Sequence, residues 1–194
     1  MRTIQSGIAA ALGTAAIVAT LTLTGGAAAN ATTTDATSSD GAQASCWADL
    51  DTGQSLCVPD GVSLISAVEA ATGQNISIPA GTVIGGVKVS SGLASAALLK
   101  TNAAAASHIV SAIYDDVSYG GGTFVMTAGS GCDWGITSLG DFGWNDRASS
   151  FKSYDGCETA LYKNTNFGGT KVGYSTNKSS LGSMNDAASS WETE

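Results

Sequence analysis

The sequence predicts a mainly β protein, with a two-motif Greek-key sandwich at the C-terminus and a small α+β region before it. Three observations predict this organisation: an internal repeat in the second half, glycine pairs followed by β-branched and aromatic runs, and four cysteines behind an apolar N-terminal segment. The repeat carries most weight. One copy with four short strands cannot cover its own apolar face, so two copies are expected to pack together.

Two blocks define the repeat. Residues Ala112–Gly121 and Ala160–Gly169 share the order aromatic, four residues, aromatic, one residue, glycine, at an offset of 48. Residues Asn145–Phe151 and Asn185–Trp191 share Asn-Asp followed two residues later by a serine pair, at an offset of 40. The first copy therefore contains eight extra residues, which fall between Gly121 and Asn145.

Local patterns predict the remaining elements. A hairpin is expected in the first half because two β-rich runs flank a Gly-containing turn, and Ser63 is a candidate helix cap. Asp49 and Asp51 resemble the start of an EF-hand loop, but a turn is favoured because the later ligands are absent. The predicted elements are the hairpin Cys46–Val58, the helices Leu64–Ala71 and Leu93–Ala106, and the strands Asn75–Pro79, Val83–Val89, Thr123–Thr127 and Thr170–Thr176.

The N-terminus is typical of a secretory signal. Arg2 precedes an uncharged, Ala-rich stretch from Ile8 to Leu23, and Ala-x-Ala sites follow it. A membrane anchor is the alternative, but the stretch is only marginally long enough to span a bilayer, and Gly and Thr residues lower its hydrophobicity. We expect a signal peptide over 1–31, a disordered linker over 32–45, a small α+β region of unknown role over 46–107 and the Greek-key domain over 108–194.

Secretion into an oxidising compartment predicts two disulfides from the four cysteines. Three pairings are possible. Cys46–Cys57 and Cys132–Cys157 are favoured, because each pair closes a modest loop within one segment.

Composition excludes several functions. The formal net charge is -8, and no basic stripe exists for a phosphate backbone, so nucleic acid is not an expected partner, whereas a divalent cation is. His108 is the only histidine, and neither G-x-S-x-G nor H-E-x-x-H occurs, so we expect a non-enzyme. After signal cleavage, we expect a secreted monomer that is not attached to a membrane.

The two blocks, each present twice in the same order, resemble the microbial βγ-crystallin family, over about 85 residues. The resemblance implies that the aromatic pairs form corners bracing folded hairpins, each closed by a required glycine. The corresponding residues are Tyr114, Tyr119 and Gly121 in the first copy, and Tyr162, Phe167 and Gly169 in the second.

In that family the Asn-Asp-x-x-Ser-Ser segment is a calcium clamp, and two clamps lie side by side. The resemblance implies one or two calcium ions, held by carboxylates, hydroxyls, backbone carbonyls and water. Each serine would serve the ion held mainly by the other motif, and each asparagine would brace its turn. The implied residues are Asn145, Asp146, Arg147 (by its carbonyl) and Ser149, with Asn185, Asp186, Ala187 (by its carbonyl) and Ser189.

Arg147 leaves two alternatives open. Its guanidinium points away to solvent while its carbonyl binds the ion, or the guanidinium weakens that site by charge repulsion. A turn-capping role for the clamps is the alternative to calcium binding.

The resemblance implies a secreted calcium-binding protein with a structural or stress-related role. The alternative, from similar bacterial crystallin-fold metalloproteinase inhibitors, is a proteinase inhibitor that presents the loop Gly129–Gly135 to an extracellular protease. A killer-toxin-like antimicrobial role is a third possibility, on fold analogy alone.

Overall fold

The computed structural model describes residues 2–4, 44–89, 92–93 and 107–194. The bounds of its elements follow in chain order. They are β1 (Arg2–Ile4), β2 (Ser45–Asp49), β3 (Ser55–Val58), α1 (Leu64–Thr72), β4 (Ile76–Ile78), β5 (Val83–Ile84), β6 (Val87–Lys88), β7 (Gly92–Leu93), β8 (Ser107–Tyr114), β9 (Thr123–Ala128), β10 (Trp134–Ile136), β11 (Ser150–Ser153), β12 (Thr159–Asn164), β13 (Gly168–Ser175), β14 (Asn177–Lys178) and β15 (Ser190–Thr193). Short 3-10 helices cover Val117–Tyr119, Leu139–Phe142 and Gly182–Met184.

The repeat forms two Greek keys of four strands each, β8–β11 and β12–β15. The first sheet has the order β14-β11-β8-β9-β2-β3, and the second has the order β1-β10-β15-β12-β13. The third strand of each key, β10 or β14, therefore lies in the sheet of the other key. This arrangement confirms the predicted fold class, a mainly β chain with a two-motif Greek-key sandwich.

The main core lies between the two sheets. Phe124 on β9 is fully buried, and its ring centroid lies 5.0 Å from Phe142, 5.7 Å from Trp144 and 5.4 Å from Trp191. These aromatic rings come from both copies of the repeat. Each copy therefore supplies the apolar surface that the other buries, which is the dominant stabilising term for such a sandwich.

The N-terminal region extends the first sheet and covers its outer face. Strand β2 pairs parallel to β9, and β4 pairs parallel to the start of β8. A second core cluster forms where the region packs on side chains of β8 and β9 that alternate with those of the main core. It contains Trp47, Val58, Leu64, Ile65, Val68, Ile76, Ile78, Val83, Ile109, Ala112, Tyr114, Val125 and Tyr154.

Most predicted local elements are present. Helix α1 begins after Ser63, whose hydroxyl accepts a hydrogen bond from Ser66 N, and the hairpin turns at Gly53 with a φ of 72°. The turn interpretation of Asp49–Gly53 is also confirmed, because Gly53 N donates to Asp49 O at 2.9 Å. Strand Val83–Val89 is instead a short β5–β6 hairpin, since Gly85 and Gly86 adopt positive φ.

Several predictions concern residues that the structure does not describe. The linker 32–45 is described only from Ala44, and the helix 93–106 only at Leu93, which belongs to β7. Of the predicted signal peptide 1–31, Arg2–Ile4 form β1 beside β10, and the rest lies outside the described residues. The domain boundaries stay predictions. Within the described ranges, no helix is long and apolar enough to cross a membrane.

Both predicted disulfides are confirmed. Cys46–Cys57 joins directly opposite residues of β2 and β3, and Cys132–Cys157 ties the loop after β9 to the segment before β12. The second bridge therefore anchors the eight-residue insertion of the first copy.

The two aromatic corners have matching geometry. Tyr114 and Tyr119 meet edge to face with ring centroids 5.6 Å apart, and Tyr162 and Phe167 do so at 5.8 Å. Burial is the main reason that the pKa of Tyr114 is raised well above its usual range. The first corner is the more deeply buried of the two, because the N-terminal region covers it.

The glycines of the corners are required by their surroundings. Gly121 and Gly169 adopt φ values of 71° and 75°. A Cβ on Gly121 would lie 2.9 Å from Asp116 Oδ2, and one on Gly169 would lie 2.8 Å from Asn164 Nδ2. Any larger residue would therefore strain the backbone and force one of these two side chains to move.

The second serine of each clamp segment holds a corner in place. Ser150 Oγ donates to Asp116 O at 2.6 Å and accepts from Tyr119 N at 3.0 Å. Ser190 Oγ repeats both bonds, to Asn164 O at 2.6 Å and from Phe167 N at 3.0 Å. Each hydroxyl thus links the fourth strand of its key to the folded hairpin of the same key.

We expect Ser150→Ala and Ser190→Ala each to lower the free energy of unfolding by about 1–3 kcal/mol, because each leaves two backbone groups without their partner. Urea unfolding followed by tryptophan fluorescence measures the change. Ser179→Ala is the matched control, since Ser179 is exposed, and its effect should stay within about 0.5 kcal/mol. Equal effects in all three variants would contradict the bracing role.

Trp47 tests whether the N-terminal region is an integral part of the sandwich. Its side chain is fully buried, and its Nε1 donates to Thr127 Oγ1 at 2.8 Å. Trp47→Ala should cost about 3–5 kcal/mol in a single unfolding transition that includes both cores. Val87→Ala is the control, because Val87 is 65% exposed. Two separate transitions in calorimetry, with the second unchanged by Trp47→Ala, would refute this expectation.

Candidate metal centre

The two clamp segments lie in loops that lead directly into the fourth strand of each key. Residues Asn145–Ser149 precede β11, and Asn185–Ser189 precede β15. Asp146 and Asp186 adopt left-handed conformations with φ values of 55° and 51°. Aspartate tolerates this region better than most residues, so the Asn-Asp pair suits the turn that aims each carboxylate.

Reciprocal backbone hydrogen bonds hold the clamps against each other. Asp146 N donates to Ala188 O at 2.9 Å, and Asp186 N donates to Ala148 O at 3.0 Å. The next residues continue the exchange, since Leu139 N donates to Ser189 O at 2.8 Å and Leu181 N to Ser149 O at 3.0 Å. The structure therefore brings the two sets of predicted ligands together across the interface between the keys.

The clamp side chains are arranged in similar ways. Asn145 Nδ2 donates to Asp146 Oδ2 at 2.6 Å, and Asn185 Nδ2 donates to Asp186 Oδ2 at 2.8 Å. Each asparagine thus orients the neighbouring carboxylate.

The two clamps differ in their crossed serine. Ser149 Oγ donates to Asp186 Oδ1 at 3.0 Å, which places a hydroxyl of the first motif on the carboxylate of the second. Among the hydrogen bonds of the described residues, Ser189 and Asp146 make no corresponding contact. The clamp around Asp186 is therefore the more fully assembled of the two.

The donor chemistry fits a hard cation. Each clamp offers one carboxylate, a serine hydroxyl and backbone carbonyls, all of which are oxygen donors. Within the described ranges, no three His, Cys, Asp or Glu side chains cluster in a way that could hold a metal. A cation here would depend on hydroxyl, carbonyl and water oxygens in addition to one carboxylate, which calcium accepts and zinc sites rarely use.

Arg147 points away from the clamp, but not into solvent. Its Nε and Nη2 donate to the two carboxylate oxygens of Asp115 at 2.9 and 2.6 Å. Its guanidinium carbon lies 4.1 Å from the centroid of the Trp144 ring. Burial raises the pKa of Asp115, while the Arg147 guanidinium works in the opposite direction and favours the carboxylate.

The sequence patterns did not predict three kinds of supporting residue. These are Asp115, Trp144 and the serine pair Ser150 and Ser190. The two serines do carry a sequence signal, because the serine pair recurs at the same place in both copies of the repeat. Asp115 gives no such signal, because it lies 32 residues from Arg147 and follows a corner aromatic.

Comparisons with known proteins found similarity in solved structures only. No family model matches the chain, and no curated protein matches it. A βγ-crystallin domain from Clostridium beijerinckii is 26% identical, with a TM-score of 0.36, over 43% of this chain and 95% of that domain. A βγ-crystallin domain from Flavobacterium johnsoniae is 27% identical, with a TM-score of 0.36, over 44% of this chain and 93% of that domain.

The similarity covers less than half of this chain, so it leaves more than half without a counterpart in those domains. The predicted resemblance agrees with two features described above, the repeated corners and the facing clamps. By these features, the Greek-key region of this chain is similar to the βγ-crystallin domains of bacteria.

Proposed function

We propose that the Greek-key region binds calcium at its two clamps. The observation that supports this most directly is the crossed contact of Ser149 Oγ with Asp186 Oδ1 at 3.0 Å. A turn cap would need only local partners, whereas this contact joins side chains of different motifs. It lies beside the reciprocal backbone bonds that fix the distance between the motifs.

The proposed affinity is modest. Calcium takes 6–8 oxygen ligands, and each clamp supplies one carboxylate with a hydroxyl and carbonyls, so water must complete the shell. Dissociation constants of roughly 10⁻⁵ to 10⁻³ M are typical of weak sensors and extracellular modules. At a calcium concentration about 100 times the dissociation constant, binding to the folded state alone adds about 2.7 kcal/mol of stability per site.

We further propose a secreted, monomeric, non-enzymatic protein with a structural or stress-related role. The two disulfides support an oxidising location. The net charge of -8 attracts cations and opposes self-association. Calcium would then serve as an extracellular stabiliser of a module already closed by two disulfides.

Calcium titration tests the proposal. Isothermal calorimetry on the calcium-free protein should show binding, and millimolar calcium should raise the melting temperature by several degrees. Asp146→Ala combined with Asp186→Ala should abolish both effects, because each clamp loses its only carboxylate. The same double variant should keep its circular dichroism spectrum.

Asp60→Ala is the matched control, since it removes an exposed carboxylate from the N-terminal region and should leave both calcium effects intact. The proposal is wrong if the native protein shows neither heat of binding nor a melting shift. It is also wrong if the double Asp variant responds to calcium as the native protein does.

Proteinase inhibition is a second candidate, supported by the loop that carries the insertion. Residues Gly129–Gly131 are exposed, and Gly129 N donates to Asp51 Oδ2. Trp134 Nε1 donates to Ser130 O at 3.2 Å, and Cys132 is bridged to Cys157. A rigid exposed loop of this kind binds a partner at low entropic cost.

A panel of metallo- and serine proteases titrated with the purified protein tests this candidate. Inhibition at micromolar concentration should be lost when Cys132→Ser and Cys157→Ser release the loop. A Cys46→Ser, Cys57→Ser variant, which lacks the other disulfide, is the control and should still inhibit. No inhibition of any protease by the native protein would remove this candidate.

A further inference from the structure

The first clamp segment contains a positively charged side chain, and this distinguishes it from the second segment. Arg147 occupies the position at which the second clamp has Ala187. A guanidinium one residue from Asp146 would repel a divalent cation and would compete for the same carboxylate. Calcium binding at the first clamp therefore requires that the guanidinium be held away from the Asp146 carboxylate.

The structure shows how the charge is held. Asp115 receives two parallel hydrogen bonds from Arg147, the geometry in which guanidinium and carboxylate bind most strongly. Nη1 donates to Gly143 O at 3.1 Å, and Nη2 also donates to Ala44 O at 3.4 Å. Among its hydrogen bonds to described residues, the guanidinium reaches no clamp side chain. Asp115 is 9% exposed, so the pair is only partly screened by solvent.

The second copy lacks both members of this pair. Asp115 directly follows the first corner aromatic, and the residue at the matching place in the second copy is Lys163, which is exposed. The two copies thus differ at both positions together: Arg147 with Asp115 in one, Ala187 with Lys163 in the other. The copy that has the arginine therefore also has the carboxylate that pairs with it.

We infer that Asp115 is a positioning residue for calcium at the first clamp, acting by holding and neutralising Arg147. The inference rests on the proposed function, and it adds a residue outside the clamp segments to that site. Asp115 does not touch the ion. It acts through Arg147, whose charge and position it controls, with Trp144 providing the surface on which the guanidinium stacks.

The test isolates the first clamp by working in an Asp186→Ala background. Calorimetric calcium titrations are compared for that parent, for added Asp115→Asn, for added Arg147→Ala and for both together. Asp115→Asn should weaken binding roughly fivefold at low ionic strength, because an unpaired guanidinium then faces a divalent ion. Adding Arg147→Ala should restore the parent affinity, since the repelling charge is gone.

Restoration is the readout that a purely structural role would not give. If Asp115 only stabilised the fold, the double change would bind calcium as weakly as Asp115→Asn or more weakly. Asp115→Asn in an Asp146→Ala background, where only the second clamp remains, is the matched control and should change affinity less than twofold. The melting temperature of each calcium-free variant shows that it is folded.

Each result has one meaning. An unchanged affinity on Asp115→Asn, or no recovery on adding Arg147→Ala, overturns the role of Asp115 while leaving calcium binding intact. Failure of the native protein to bind calcium overturns this inference and the proposed function together.

Discussion

The exchange of third strands between the two Greek keys is the constraint on which the rest of the structure depends. Strand β10 completes the sheet of the second key, and β14 completes the sheet of the first. Neither key can close its sheet alone, so the two must form as a pair. The pairing brings the clamp loops into contact, and their reciprocal backbone bonds then fix the spacing of oxygen donors from different motifs. The candidate site is thus a product of the fold rather than of either segment.

The N-terminal region makes the two keys unequal. It lies on the outer face of the first sheet and buries Tyr114, whereas Tyr162 stays 8% exposed. The carbonyl of Ala44 also accepts from Arg147, so the residues just before this region contact the residue that distinguishes the first clamp. The insertion and its disulfide lie in the first copy as well. Among the described strands, the first repeat thus pairs with the N-terminal region and carries the insertion, whereas the second repeat has neither feature. The two repeats remain symmetric only at the clamps and corners.

Much of this architecture could be predicted because it depends on local spacing. The corners, the clamp segments and both disulfides follow from residues close in sequence, and α1 follows from its cap at Ser63. The parallel pairing of β2 with β9 could not be predicted, because its partners lie 78 residues apart and parallel strands have no turn signal. The contact of Arg147 with Asp115 is equally non-local. The calcium ligands stay predictions.

The position of β2 also has a consequence for the order in which the chain can fold. This strand emerges early, yet it occupies a place between β3 and β9, and its ladder requires residues up to Thr127. Closing a loop of that size costs chain entropy before any native contact compensates for it, and topologies rich in such contacts fold slowly. The hairpin of β2 and β3 can form early, but the edge of β2 that pairs with β9 stays unpaired until the first key has folded. A chain of this topology therefore completes its first sheet only after most of its length is available.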